Sequence, residues 1–130
     1  MTGTGTVLAI DQGTSGTKAI VVDAEGRILS CVEASVTPRV FDDAAAEHDP
    51  HTLLRSVVET GTRALADAGV RVDAVALANQ GESVLAWERT TGEPLTPIVV
   101  WHDRRSESVV NQLAEHRDEL LEITGLPLDS

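Results

Sequence analysis

The segment Asp11–Lys18 (DQGTSGTK) constrains this chain more than any other part of it. Two short β-branched runs, Val7–Ile10 and Thr17–Asp23, flank a loop, Gln12–Gly16, rich in glycine and hydroxyls. That pattern predicts two antiparallel strands joined by a tight polar turn. Glycine removes the side chains that would keep successive amides from converging on one anion. Thr14, Ser15 and Thr17 add hydroxyl donors, and Lys18, the only lysine of the chain, adds a compact positive charge. Asp11 suits Mg²⁺ held through water. The same residues also suit an ordinary hairpin turn, and the loop by itself leaves both readings open. Walker and Rossmann loops lead from strand into helix and carry GxxxxGK[ST] or GxGxxG; this segment does neither.

Charge narrows the partners. The chain has 21 acidic and 10 basic residues, for a net charge of −11. Nucleic acid and anionic membranes call for clustered positive charge, so neither is expected as a partner. A polyphosphate would need local donors and a divalent cation to offset this field. At 130 residues and 42% hydrophobic, the chain can bury a core. No apolar run approaches the roughly 18 residues of a membrane span. Met1–Thr6 lacks the basic and apolar stretches of a secretory leader. The single cysteine, Cys31, suggests a reducing compartment and is expected as a small buried hydrophobe. These features imply a soluble, cytoplasmic α/β protein.

Ile28–Val36 reads as a third strand after the turn Ala24–Arg27, completing a three-stranded meander. A loop, Thr37–His48, follows, with Asp42–Asp43 as a solvated pair. Asp49 and Pro50 open a helix, Gly69 closes it, and Leu53, Leu54, Val57, Val58, Ala64, Leu65 and Ala68 form its apolar face. Val72–Ala78 reads as a strand buried on both faces. Val84–Glu88 and Pro97–Trp101 read as a strand pair around the turn Thr90–Pro94. A second helix is expected from about Arg105 to Ile123, with a break near His116–Asp118. His48 and His51 read as capping or surface residues, and the four histidines show no metal-ligand spacing.

DQGTSGTK followed by AIVVD resembles the first phosphate motif of the actin/hexokinase/Hsp70 superfamily. Four further segments in order resemble FGGY-type carbohydrate kinases, glycerol kinases among them: EHDP (Glu47–Pro50), NQGES (Asn79–Ser83), WERTTGEP (Trp87–Pro94) and IVVWHDRR (Ile98–Arg105). Thr124–Gly125 resembles the TG that follows, so the similarity runs from Val7 to Gly125. It implies an RNase-H-like α/β domain with a mixed sheet and flanking helices, residues 1–130 being part of the first domain of a two-domain, ATP-dependent kinase.

By the same resemblance Asp11 is metal-associated, and Gly13, Thr14, Ser15, Gly16, Thr17 and Lys18 attend the ATP phosphates. Gln80, Gly81 and Glu82 attend a polyol or sugar, Glu82 accepting from its hydroxyls. Trp101 packs on the substrate's carbon skeleton, Asp103 counts with it among the substrate-binding residues, and Asp103, Arg104 and Arg105 support that wall and pair locally. Glycerol kinases typically carry Arg where this chain has Gly81, which enlarges the pocket toward a larger polyol or sugar. The family's catalytic base, an Asp, falls beyond residue 130, so no catalytic residue is expected here and the chain alone is expected to be inactive. The alternatives are a non-catalytic phosphate- or nucleotide-binding domain and a structural remnant that covers its open face by forming a homo-oligomer.

Overall fold

A computed structural model describes residues 5–41 and 44–129; Asp42–Asp43 and most of Met1–Thr6 lie outside the described residues. Strands β1 (Val7–Gln12), β2 (Gly16–Val22) and β3 (Ile28–Ser35) form the expected antiparallel meander. Strand β6 (Ala74–Asn79) adds to β1 in parallel, giving the order β3-β2-β1-β6. Alternation along the strands sorts the side chains between two faces. Leu8, Ile10, Ala19, Val21 and Val32 turn to one face and, with Ala64, make the core under helix α1 (Pro50–Ala68). Asp11 and Lys18, cross-strand partners, turn to the other.

Helix α1 begins and ends as its sequence dictates. The Asp49 carboxylate accepts from the His51 and Thr52 amides, Pro50 occupies the first turn, and Gly69 closes the helix at φ 63°. Its buried face matches the expected one in part: Ala64 is buried and Val57, Leu65 and Ala68 pack against the core, Ser56, Thr60 and Gly61 are buried with them, and Leu54 and Val58 are exposed. The helix sits close to the sheet. A methyl at Gly61 would stand 3.1 Å from Ile10 Cδ1, so the smallest residues mark the contact line.

The expected loop 37–48 instead contains β4 (Arg39–Val40) and β5 (Ala46–His48), which join β7 (Ile98–Val99) in a second sheet. Of the expected pair at 84–88 and 97–101, single bridges Val84↔Val99 and Trp87↔Pro94 form beside β7. Strand β6, expected to be buried on both faces, is exposed along its whole length. It is an edge strand, and α1 packs over β1, β2 and β3 instead. Cys31 is exposed rather than buried, because strand alternation gives the core to its neighbour Val32. The expected second helix is divided into α2 (Glu107–Gln112), a 3₁₀ turn (Ala114–His116) and α3 (Arg117–Thr124). The break thus falls slightly earlier than expected. Among the described residues, no helix is long and apolar enough to cross a membrane.

Gly16 holds the meander closed. A methyl there would lie 2.8 Å from the Ala34 carbonyl oxygen, and backbone would have to shift. Gly16→Ala is expected to destabilise the fold by about 1–3 kcal/mol. Urea denaturation checks this, and an unchanged midpoint would refute the close-approach argument.

Candidate functional site

The connection between β1 and β2 is Gly13–Ser15, three residues long. The Gly13 amide donates to the Gly16 carbonyl at 2.9 Å and closes the turn. The loop's carbonyls are taken up by the protein. Gln12 Nε2 donates to Gly13 O at 2.7 Å, His48 Nε2 lies 3.0 Å from Thr14 O, and the Val36 amide donates to Ser15 O at 3.0 Å. Among the described residues, the amides of Thr14 and Ser15 have no partner. Two unpaired adjacent amides in a glycine-bounded turn form an anion-receptive arrangement.

Asp11 and Lys18 line a recess of about 250 Å³ floored by Ala9, Ile20, Ala76 and Ala78. Lys18 Nζ is 2.7 Å from Glu33, whose carboxylate raises the lysine's pKa and draws the ammonium toward β3. One of the expected phosphate contacts, the Thr17 side chain, needs correction. The Thr17 side chain is buried, with Oγ1 2.7 Å from Ser56 Oγ of α1, so strand alternation turns it away from the recess. Gly16 is the first residue of β2 and serves the approach of β3.

Beyond β6, the Gln80 amide donates to Gln12 O at 3.0 Å and sets the next loop beside the first. Gly81 and Glu82 are exposed there, and Glu82 has φ 62°, a left-handed conformation unusual for a residue with a side chain. Glu82 and Trp101 together line a cleft of about 470 Å³ with His102 and Arg104. Trp101 is half exposed, and its Nε1 donates to Thr14 Oγ1 at 2.9 Å. Thr14 Oγ1 donates to Gln80 Oε1 at 3.1 Å. Ser83 Oγ donates to the same oxygen at 3.2 Å and accepts the Trp101 amide at 3.1 Å. The two loops, distant in sequence, are therefore one hydrogen-bonded cluster.

Asp103 does not face the cleft, contrary to its expected place among the substrate contacts. Its buried carboxylate accepts the Ala46 amide at 2.7 Å and is chelated by Arg105. The Arg105 hydrogen bonds hold its pKa down to about 2. Arg105 also reaches Glu47 at 2.8 Å and so pins β5 to the segment after β7. The supporting role expected for Arg105 matches this arrangement. His48, expected as a capping or surface residue, is instead buried beneath the loop. Its signal was the period-two spacing with Ala46, which is the inward face of a strand. No group of three or more His, Cys, Asp or Glu side chains among the described residues could hold a metal ion.

Residues 6–130 match the family model for the N-terminal domain of the FGGY family of carbohydrate kinases. The chain belongs to this family. It is 38% identical over 130 residues to a glycerol kinase of Delftia acidovorans and 40% identical to one of Verminephrobacter eiseniae, covering 95% of this chain in each case. It spans only 26% and 25% of those relatives' lengths. Among solved structures, Plasmodium falciparum glycerol kinase with ADP superposes with a TM-score of 0.86 at 27% identity, over 97% of this chain and 26% of that one. Gluconate kinase from Lactobacillus acidophilus shares the fold, with a TM-score of 0.88 at 21% identity over 95% of this chain and 25% of that one. The FGGY resemblance and the actin-like α/β fold expected from the motifs are thereby confirmed.

Two buried groups are expected to make this FGGY domain acid-sensitive. Burial lowers the His48 pKa below its ordinary 6.5, so the unfolded chain takes up that proton more readily and stability falls as pH drops below 6.5. Asp103 is depressed from 3.8 to about 2, so its contribution is present above 3.8 and is lost between those values. Stability measured against pH is expected to decline in two stages. The first is absent in His48→Gln, and the second is reduced in Asp103→Asn, the hydrogen-bonded carboxylates Asp23, Asp49 and Glu88 supplying the rest. A His48→Gln profile that declines from pH 6.5 like the parent would contradict the assignment.

Proposed function

We propose that this chain is the phosphate- and polyol-binding part of an ATP-dependent carbohydrate kinase, one that transfers the γ-phosphoryl of ATP to a hydroxyl of a polyol or sugar. The observation that carries this reading is the pair of unpartnered amides at Thr14 and Ser15, beside the face that presents Asp11 and Lys18. Amides accept phosphate oxygens without adding charge, and Lys18 offsets part of the field of a chain at −11. A lone carboxylate suits Mg²⁺, which is commonly bound through one or two carboxylates together with water and substrate phosphates. Asp11 fits that role; the ion, when bound, would neutralise charge developing on the transferred group.

Glu82 can accept from two adjacent hydroxyls while the Trp101 face covers the carbon chain, which orients an acceptor. Gly81 leaves room: a methyl there would meet nothing within 4 Å. This supports an acceptor larger than glycerol. The lone thiol Cys31 suits a reducing cytoplasm. The 130-residue chain by itself is expected to transfer no phosphate, since the base supplied in this family lies outside it.

The test is a substrate panel on the full-length protein. Mg·ATP-dependent phosphorylation should favour a polyol or sugar larger than glycerol. Gly81→Arg should improve glycerol relative to that substrate by about tenfold or more, the worth of one charge-assisted hydrogen bond. Asp11→Asn should lower kcat by about 10²-fold. Turnover unaffected by Asp11→Asn would reject the phosphate-site assignment.

A further inference from the structure

Trp101 meets the rest of the site through donors alone. An indole N–H and a backbone N–H carry no acceptor lone pair. Thr14 Oγ1 and Ser83 Oγ must therefore accept from Trp101, at 2.9 and 3.1 Å. Each hydroxyl then has one proton to place, and both protons go to a single oxygen, Gln80 Oε1, at 3.1 and 3.2 Å. One carbonyl oxygen has two lone pairs, so the ring of four residues closes with every proton assigned. With Oε1 so placed, Gln80 Nε2 is buried without a partner. An unpaired buried donor is costly.

Thr14 is held on three sides. His48 Nε2 takes its carbonyl, Trp101 and Gln80 engage its hydroxyl, and its amide is one of the two left for a ligand. A ligand that draws on this amide therefore draws on the residue that orients an indole 87 positions away in sequence. With its proton already given to Gln80, the Thr14 hydroxyl is not a spare donor for phosphate.

We propose that Thr14, Gln80 and Ser83 are positioning residues, a hydrogen-bonded circuit that fixes the Trp101 indole and couples occupancy of the β1–β2 loop to the wall of the Glu82–Trp101 cleft. This rests on the kinase reading of the same site. Circuits of this kind strengthen cooperatively, and coupling between sites commonly amounts to about 5- to 150-fold in affinity.

The experiment is ¹H–¹⁵N spectroscopy of the uniformly ¹⁵N-labelled full-length protein, the Trp101 indole resonance being assigned by its loss in Trp101→Phe and the Thr14 and Ser15 amides by residue-selective labelling with threonine and serine. In the ligand-free protein, Thr14→Val should move that resonance toward the solvent-exposed position and hasten its hydrogen exchange, while Thr14→Ser should restore both. Ser83→Ala, which opens the other arm, should also displace it. Mg·ADP should shift the parent indole and tighten binding of the acceptor by about fivefold or more. Thr14→Val should lose that linkage, with acceptor affinity independent of Mg·ADP. An indole unmoved by Thr14→Val and by Ser83→Ala overturns the circuit. An indole that ignores Mg·ADP while the Thr14 and Ser15 amides respond overturns the coupling and leaves the kinase reading intact. Loop amides that ignore saturating Mg·ADP in a protein shown by calorimetry to bind it overturn the kinase reading beneath it.

Discussion

Thr14 is the point on which this domain's arrangement turns. Its carbonyl is held by a histidine from the small sheet, and its hydroxyl by a tryptophan beyond β7 and a glutamine beyond β6. Three segments far apart in sequence thus converge on one residue of a three-residue turn. Hydrogen bonds that saturate a loop's carbonyls and hydroxyls fix its backbone, and a fixed backbone can present free amides without reorganising when an anion arrives. Gly16 makes this possible from below, since the close approach of the Ala34 carbonyl leaves no space for a side chain where the turn re-enters the sheet.

The wall of the cleft is built on a comparable principle with charge added. Asp103 is buried but fully satisfied: it accepts an amide of β5 and the guanidinium of Arg105, which in turn holds Glu47. Removing one member would strand a buried charge or donor, so the cluster specifies how the segment after β7 lies against β5. Because Val99 and Trp101 follow directly from that register, the indole's position over the cleft and its bond to Thr14 depend on it. The strained backbone at Glu82 places an exposed carboxylate on the same cleft.

Elements set by local chemistry were legible in the sequence. The β-branched runs, the Asp49–Pro50 start and the Gly69 end of α1, and the glycine-bounded loop each follow from residues acting on their neighbours. Features set by partners were not legible. Leu54 and Val58 carry helical periodicity yet are exposed, because Gly61 and Ala64 bring α1 down onto the sheet along a different line. The apolar run of β6 reads as buried although it lies at a sheet edge. Thr17 belongs to the phosphate motif by sequence, and only strand alternation shows that it serves the α1 interface. Asp103 reads as a site carboxylate until its buried amide partner is visible. His48, Gln12 and Ser83 act through hydrogen bonds across long sequence separations, for which a single chain carries no direct signal.

On the proposed reading, the turn between β1 and β2 cradles phosphate oxygens. A crystal structure of the full-length protein with a non-hydrolysable Mg·ATP analogue tests it most directly. Phosphate oxygens are expected within hydrogen-bonding distance of the Thr14 and Ser15 amides, with the Mg²⁺ hydration shell touching Asp11. A nucleotide bound with its phosphates elsewhere, and those two amides facing only solvent, would contradict that reading.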